Sequence, residues 1–188
     1  MKILRYIHIT LMGILFCNTI ALAGHWSNFL SPKFTLCKST YALCTTAACK
    51  PIAGEKGKLS CKCDVQTGYS AATKDCEPIK TTKAGDLIQS RFYPVKAYAV
   101  CNNNRPWAWC LDVPCLIDKK NPLKSTCTCT VAKNQGPYVI VGNTYNKSTC
   151  TTGIISSATV PDIEQITNFI NHQKVMPTVT TKVLNNTK

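Results

Sequence analysis

Acidic residues and histidines are scarce in this 188-residue chain. It has 9 Asp and Glu against 22 Lys and Arg, a net charge of +13 at neutral pH, and only 3 His. General acid–base catalysis needs a positioned histidine or a close pair of carboxylates. His25 and His172 lie near the two ends of the chain, the acids are scattered, and no Gly-x-Ser-x-Gly or phosphate-loop motif occurs. The sequence therefore predicts no catalytic residues and no cofactor, and it favours a protein that is not an enzyme.

Long hydrophobic runs are also missing beyond the N-terminus. No later segment approaches the ~20 apolar residues of a transmembrane helix. At the N-terminus, Lys2 and Arg5 precede an apolar run that ends in the small-x-small motif Ala21-Leu22-Ala23. This pattern is typical of a secretory signal peptide, which we assign to residues 1–23, with a lead-in over 24–36. We expect a secreted protein that functions in the periplasm or outside the cell, with no membrane-spanning segment after cleavage.

Cysteine is the residue that the chain has in excess. Of its 13 cysteines, Cys17 falls in the predicted signal peptide and the others form two sets of six. The gaps between neighbours are 6, 4, 11, 1 and 12 residues in the first set and 8, 4, 11, 1 and 20 in the second. Three consecutive gaps are identical, which indicates a duplicated module. The sets are Cys37, Cys44, Cys49, Cys61, Cys63 and Cys76, and Cys101, Cys110, Cys115, Cys127, Cys129 and Cys150.

An even number of cysteines in an exported chain predicts disulfides. Modules of this size bury too little apolar surface to be stable alone, so the bridges are expected to be structural. A zinc site is the alternative, but structural zinc sites belong to reducing compartments, so no metal is predicted. Redox activity is disfavoured because no Cys-x-x-Cys occurs. Spacing alone does not choose among the possible pairings within a set.

The first module resembles an epidermal-growth-factor-like module. The resemblance lies in Ser60 to Tyr69, where Cys-x-Cys is followed by a Gly-aromatic pair before Cys76. The second module matches it more loosely. The resemblance implies pairing of the first with the third, the second with the fourth and the fifth with the sixth cysteine of each set. It does not imply calcium binding, because the acidic signature before the first cysteine is absent.

The segments outside the cysteine sets complete the predicted organisation. We predict a first module over 37–76, an exposed linker over 77–91, and a second module over 92–150. Residues 92–100 and 138–141 are rich in β-branched and aromatic residues, which predicts two strands. The second of these lies in the longer gap between Cys129 and Cys150, which indicates a β-extension that the first module lacks. Ile163, Ile166 and Ile170 recur at helical spacing, which predicts an amphipathic helix over 160–172 within a C-terminal segment 151–176. Residues 177–188 are expected to form a flexible tail. The predicted fold is small, disulfide-rich and mainly β, with two tandem modules built on short β-hairpins and one C-terminal helix.

Two aromatic residues of the second module allow two interpretations. Trp107 and Trp109 alternate as on a strand, and Arg105 stands beside them. They could form a platform for carbohydrate, with Trp107 and Arg105 as partner-binding candidates. The first module has Tyr41 and Leu43 at the matching positions, and a leucine there favours packing in the core.

Basic residues concentrate in the 11-residue gap that both modules share. It holds Lys50, Lys56 and Lys58 in the first module and Lys119, Lys120 and Lys124 in the second, with Lys58 and Lys124 aligned. These lysines are either simply solvated or form a paired surface for anions. Dispersed charge and the absence of a recognition motif disfavour nucleic acid. We expect a binding or interaction protein whose partner is a protein or an anionic glycan or lipid surface; the alternatives are a secreted protease inhibitor or a small secreted hydrolase.

Overall fold

The computed structural model describes residues 33–185, which belong to one compact unit. The predicted signal peptide, Cys17 and His25 lie outside the described residues. The described chain confirms a mainly β, disulfide-rich fold with a C-terminal helix. The elements, in order, are β1 (Thr35–Leu43), β2 (Ala48–Pro51), β3 (Lys58–Ala72), β4 (Lys80–Thr81), β5 (Asp86–Gln89), β6 (Ala97–Cys101), β7 (Trp107–Trp109), β8 (Pro114–Ile117), β9 (Lys124–Ala132), β10 (Tyr138–Val141), a 3₁₀ turn (Lys147–Cys150), β11 (Ile154–Ile155), α1 (Val160–His172) and β12 (Lys182–Val183).

The two modules are joined along their equivalent strands, β3 and β9. These strands pair antiparallel, and Cys61 lies opposite its own counterpart Cys127. On either side of this pair, Lys58 faces Thr130 and Lys124 faces Asp64. Lys58 corresponds to Lys124 in the repeat, and Asp64 to Thr130, so exchanging the two copies reproduces the same pairing. The described chain is therefore arranged around a pseudo-twofold axis between Cys61 and Cys127.

Each copy also receives a strand from the sequence that follows the other copy. β5 follows the first module but pairs with β8 of the second, with Ile88 opposite Cys115. β11 follows the second module and pairs with β2 of the first, with Ile154 opposite Cys49. Ile88 and Ile154 are separated by the same interval as Cys61 and Cys127. The duplication thus extends past the last cysteine of each set, and the two copies exchange equivalent strands in one sheet.

The segment 77–91 is consequently not an exposed linker over its whole length. Its second half is β5 and the residues after it, among which Ile88, Ser90 and Arg91 are buried. The Arg91 guanidinium donates hydrogen bonds to Ser70 Oγ at 3.1 Å and to the Thr35 carbonyl at 2.7 Å. The prediction missed this packing because a four-residue strand with polar neighbours has the composition of a loop.

All twelve cysteines from Cys37 to Cys150 form disulfides within their own sets, as expected. The pairing is nested and the same in both copies, so the pairing implied by the growth-factor-like resemblance is wrong. In each set the first cysteine pairs with the sixth, the second with the fifth and the third with the fourth. The bonds are Cys37–Cys76, Cys44–Cys63, Cys49–Cys61, Cys101–Cys150, Cys110–Cys129 and Cys115–Cys127.

Strand register explains this pairing. β2 places Cys49 directly opposite Cys61, and their Cα atoms are 4.1 Å apart. β1 places Cys37 opposite Ser70, near the far end of β3, so Cys37 cannot reach Cys49. Register is a property of strand pairing and cannot be read from the spacing of cysteines.

The four inner disulfides form much of one hydrophobic core. Cys61 and Cys63 alternate with exposed residues on β3, as Cys127 and Cys129 do on β9, so the sulfurs share one face of the sheet. The Cys44 and Cys127 sulfurs, from different copies, are 3.4 Å apart. Leu59, Ile88 and Ala108 pack in the same cluster. Sulfur therefore fills the space that aliphatic side chains occupy in larger domains.

The second copy has an additional sheet and the helix. The predicted strand 138–141 is confirmed as β10, which pairs with β6; β6 begins at Ala97, after Pro94, and also pairs in parallel with β12. The predicted helix 160–172 is confirmed as α1, and Thr159 and Asp162 form its capping box. Its buried face packs on a cluster with Phe92 and Val139. Part of the predicted flexible tail is anchored, because Asn185 bonds the N–H and C=O of Val100, both at 2.8 Å.

None of the helices within residues 33–185 is long and apolar enough to cross a bilayer.

Candidate functional site

The face of β3 and β9 opposite the cysteines is polar and basic. It is formed by four cross-strand pairs and by Lys50 of β2, which lies opposite Ser60 on β3. We call this surface the basic face. The pairs are Lys58 with Thr130, Ser60 with Thr128, Lys62 with Thr126, and Asp64 with Lys124. Side chains alternate along a strand, so burying the cysteines places these residues on the solvent side.

The two aligned lysines occupy equivalent positions but have different neighbours. Lys124 forms an ion pair with Asp64, and this is the only ion pair in the described part of the chain. Lys58 faces the hydroxyl residue Thr130, which carries no charge. The acid that would balance Lys58 is absent because the first-copy Asp64 corresponds to Thr130 in the second. The charge of Lys58 is therefore free to act on a ligand, and that of Lys124 is partly neutralised.

The two aligned lysines do not converge on one site. Lys124 lies opposite Asp64, six positions along β3 from Lys58, so their backbones are ~20 Å apart. That separation exceeds the ~8 Å screening length at physiological salt. Lys58 and Lys124 therefore lie at opposite ends of the β3–β9 pair, and each end is a separate candidate site.

An open groove of about 560 Å³ lies beside Lys58. We call it the Lys58 groove. Its rim has three lysines and one acid, and its floor is made largely of aliphatic side chains and prolines. The lining residues are Pro51, Ile52, Gly54, Glu55, Lys56, Gly57, Lys58, Leu59, Pro106, Val131, Lys133 and Ile154. The volume is within the usual range for ligand sites, although the groove is open to solvent.

Lys133 is the basic residue of the groove that the sequence did not indicate. It follows β9, in a part of the second copy with no lysine at the matching first-copy position, Thr67. Only the antiparallel pairing of β3 with β9 brings it to the start of β3, where the Val131 N–H donates to the Gly57 carbonyl at 3.0 Å. The signal for Lys133 therefore lies in the pairing of the two copies and not in either copy alone.

The other basic candidates lie in the β8–β9 turn at the opposite end. Lys119 and Lys120 are exposed there. Asp118 accepts a hydrogen bond from the Lys120 N–H at 2.8 Å. Leu123 in the same turn is 72% exposed. Two acids, Asp64 and Asp118, offset part of the positive charge at this end.

The carbohydrate platform does not form. Trp107 is buried and packs against two aromatic rings. Its ring centroid lies 5.9 Å from that of Trp109 and 6.5 Å from that of Tyr138. Arg105 is exposed, and its guanidinium lies 3.5 Å from the Gly153 carbonyl. Trp107 is therefore a core residue and is not available to a ligand, and its first-copy counterpart Tyr41 is buried as well.

The titratable groups that are buried or shifted have structural roles. Burial, reinforced by Tyr93, raises the pKa of Tyr41 to about 12. Burial lowers the pKa of Arg91, and Asp112 opposes that shift. Asp112 accepts hydrogen bonds from the backbone N–H groups of Thr73 and Lys74. Among residues 33–185, every buried side-chain nitrogen or oxygen has a hydrogen-bond partner.

Several sulfur atoms lie close enough together to hold a metal ion, such as those of Cys44, Cys115 and Cys127. Each of them belongs to a disulfide and offers no thiolate.

Comparison with models of protein families, with curated proteins and with solved structures finds no match for this chain.

Proposed function

We propose that this chain is an exported, non-enzymatic binding protein whose basic face engages anionic partners. Six disulfides are typical of proteins that fold in an oxidising compartment. Residues 1–23 begin with basic residues, continue with an apolar run and end in small residues, which is typical of an export signal. Both features support action outside the cytoplasm.

The observation that supports anion binding is the lack of compensating charge on the basic face. Lys58 and Lys62 have hydroxyl residues opposite them, and Lys62 donates to Thr126 Oγ1 at 2.7 Å. Lys50 lies opposite Ser60. Exposed lysines that are clustered on one face and not neutralised produce a positive potential that attracts polyanions. Asp64 is the one acid among the paired residues, and it already forms an ion pair with Lys124.

The non-enzymatic part of the proposal is supported by the use of the polar groups. Arg91, the buried cation, is held by Ser70, Gln89 and two backbone carbonyls. Asp112 holds the backbone after β3. His172 is exposed at the end of α1, with its Nδ1 2.6 Å from the Asn168 carbonyl oxygen. None of these groups has the acid–base partner that proton transfer needs.

Retention on immobilised heparin through a salt gradient tests the proposal. The double variant Lys50→Glu and Lys58→Glu should elute at clearly lower salt than the wild type. The control, Lys83→Glu and Lys182→Glu, changes the same net charge on exposed residues away from the face and should elute close to the wild type. If both variants lose retention equally, or if the wild type elutes no later than from a simple cation exchanger, the basic face is not a binding surface.

A further inference from the structure

The turn that forms one side of the Lys58 groove has a counterpart in the second copy. Both turns have the same backbone hydrogen bonds. The Glu55 N–H donates to the Ile52 carbonyl and the Lys58 N–H to the Glu55 carbonyl, both at 3.2 Å. In the second copy, the N–H groups of Asn121 and Lys124 make the corresponding bonds. The two turns therefore share this hydrogen-bonding pattern, but the third residue of each β-turn has positive φ in the first copy only, so their backbone conformations differ.

In the second copy, side chains inside the turn accept two further amide protons. Asp118 Oδ1 accepts from the Lys120 N–H at 2.8 Å, and Asn121 Oδ1 accepts from the Leu123 N–H at 3.2 Å. Asx side chains commonly bond the backbone two residues on in this way. Of the N–H groups in this turn, that of Lys119 alone has no acceptor within residues 33–185, so the turn presents no free pair of amides to a ligand.

In the first copy, the equivalent amides are those of Gly54 and Gly57. Ile52 stands where the second copy has Asp118, and Glu55 stands where it has Asn121. Within residues 33–185 the Gly54 and Gly57 N–H groups have no hydrogen-bond acceptor. Both glycines have positive φ, near 78°, and a Cβ added at either would meet no atom within 4 Å. The backbone is therefore bare and open where the second copy has the side chains of Lys120 and Leu123.

Free amides, unneutralised lysines and open space coincide at this groove. Backbone N–H groups without an acceptor carry a partial positive charge that attracts anions. Lys56, Lys58 and Lys133 line the same groove, with Glu55 as the one opposing charge. We infer that the Gly54 and Gly57 amides and these three lysines form an oxyanion-binding site, and that its ligand is an acidic polysaccharide chain. This inference rests on the proposed function and assigns it to the groove at the Lys58 end of the sheet.

A polysaccharide fits the groove better than a membrane surface does. Interfacial binding combines basic residues with protruding apolar side chains that enter the bilayer. In the described part of the chain, the exposed large apolar residues are Ile79, Tyr93, Leu123 and Tyr145, and none lines the Lys58 groove. An acidic glycan needs only charge and hydrogen-bond donors along an open channel. The apolar floor formed by Ile52, Val131 and Ile154 can contact the non-polar faces of its sugar rings.

Two variants of equal net charge test the amides separately from the charge. Glu55→Gln removes one negative charge, and so should strengthen binding of a heparin-derived oligosaccharide measured by calorimetry. The second variant carries the residues of the other copy's turn, Ile52→Asp, Gly54→Lys, Glu55→Asn and Gly57→Leu, so that side chains can accept the amide protons as Asp118 and Asn121 do. Blocking an amide that bonds a charged ligand costs about tenfold in affinity, so this variant should bind about tenfold more weakly than Glu55→Gln. Equal affinities for the two variants would overturn the role of the amides.

A second pair of variants tests which end binds. Lys56→Gln with Lys58→Gln should weaken oligosaccharide binding by tenfold or more, whereas Lys119→Gln with Lys120→Gln, with the same change of charge at the other end, should weaken it less than threefold. Equal losses would overturn the one-sided site and leave the proposed function standing. No salt-dependent binding by the wild type would overturn both. Binding to vesicles of anionic phospholipid that exceeds binding to the oligosaccharide would overturn the glycan assignment.

Discussion

The exchanged strand β5 gives the sharpest test of the fold. Ile88 lies opposite Cys115, is 4% exposed, and packs in the disulfide-rich core. Replacing a buried isoleucine by alanine usually costs about 2–5 kcal/mol. Taking about 3 kcal/mol, and ~2–4 °C per kcal/mol for a domain of this size, Ile88→Ala should lower Tm by about 6–12 °C. The measurement is calorimetric or near-UV dichroism melting with the disulfides intact.

Ile79→Ala is the matched control, because Ile79 lies in the same segment 77–91 but is 48% exposed. Exposed substitutions of this kind change stability by about 0.5 kcal/mol or less, so Tm should fall by no more than ~2 °C. Ile154→Ala, at the equivalent position in β11, should have an intermediate effect because Ile154 is only partly buried. If Ile88→Ala and Ile79→Ala behaved alike, the segment would be an exposed linker and the strand exchange would be refuted.

Further predictions follow from the same packing. Trypsin should cut first at exposed Lys83, in the turn between β4 and β5, and should spare Arg91, which is 2% exposed. Since no disulfide links the two cysteine sets, the nicked protein should elute as one species in native gel filtration and separate into two fragments in non-reducing detergent; separation under native conditions would contradict the shared sheet. Tyr41 has a pKa raised from 10.0 to about 12 by burial, so its stabilising contribution should be present below pH 10 and lost as the pH rises towards 12. Tyr41→Phe should reduce this alkaline loss, measured as the free energy of unfolding by denaturant titration between pH 9 and about pH 12. An unchanged pH profile in the variant would contradict the role of Tyr41.

Local features of the fold could be predicted from the sequence because their signals are local. The helix Val160–His172 has isoleucines at helical spacing, a proline in its first turn and an acidic residue near its N-terminus, and the structure agrees with its predicted bounds. Strand Tyr138–Val141 is a continuous run of aromatic and β-branched residues. Disulfides within each set followed from even cysteine counts in a chain predicted to be exported.

The pairing of distant segments could not be predicted in the same way. Disulfide connectivity depends on the register that places Cys49 opposite Cys61. The exchanged strands depend on contacts between copies, although the matching interval from Ile88 to Ile154 was present in the sequence. Comparing the repeat beyond its last cysteine would have suggested that the duplication includes these strands.

The candidate site was predicted in part. Aligning the copies placed Lys58 and Lys124 at equivalent positions, and the structure agrees. The alignment could not show that Asp64 of one copy neutralises Lys124 of the other, because that contact requires the antiparallel pairing of β3 with β9. Nor could it show that Asp118 and Asn121 close one turn while the Gly54 and Gly57 amides stay open in the other.

The central claim is that the two copies share a fold but that only the turn beside Lys58 is built to hold an anion. Amide chemical shifts of the isotope-labelled protein, followed during titration with a heparin-derived oligosaccharide, test this most directly. The account predicts that the Gly54 and Gly57 amide protons move downfield as they bond the ligand, and that those of Lys120 and Leu123, which already have acceptors, stay in place. Equal shifts in both turns, or shifts confined to the Lys120 turn, would contradict it.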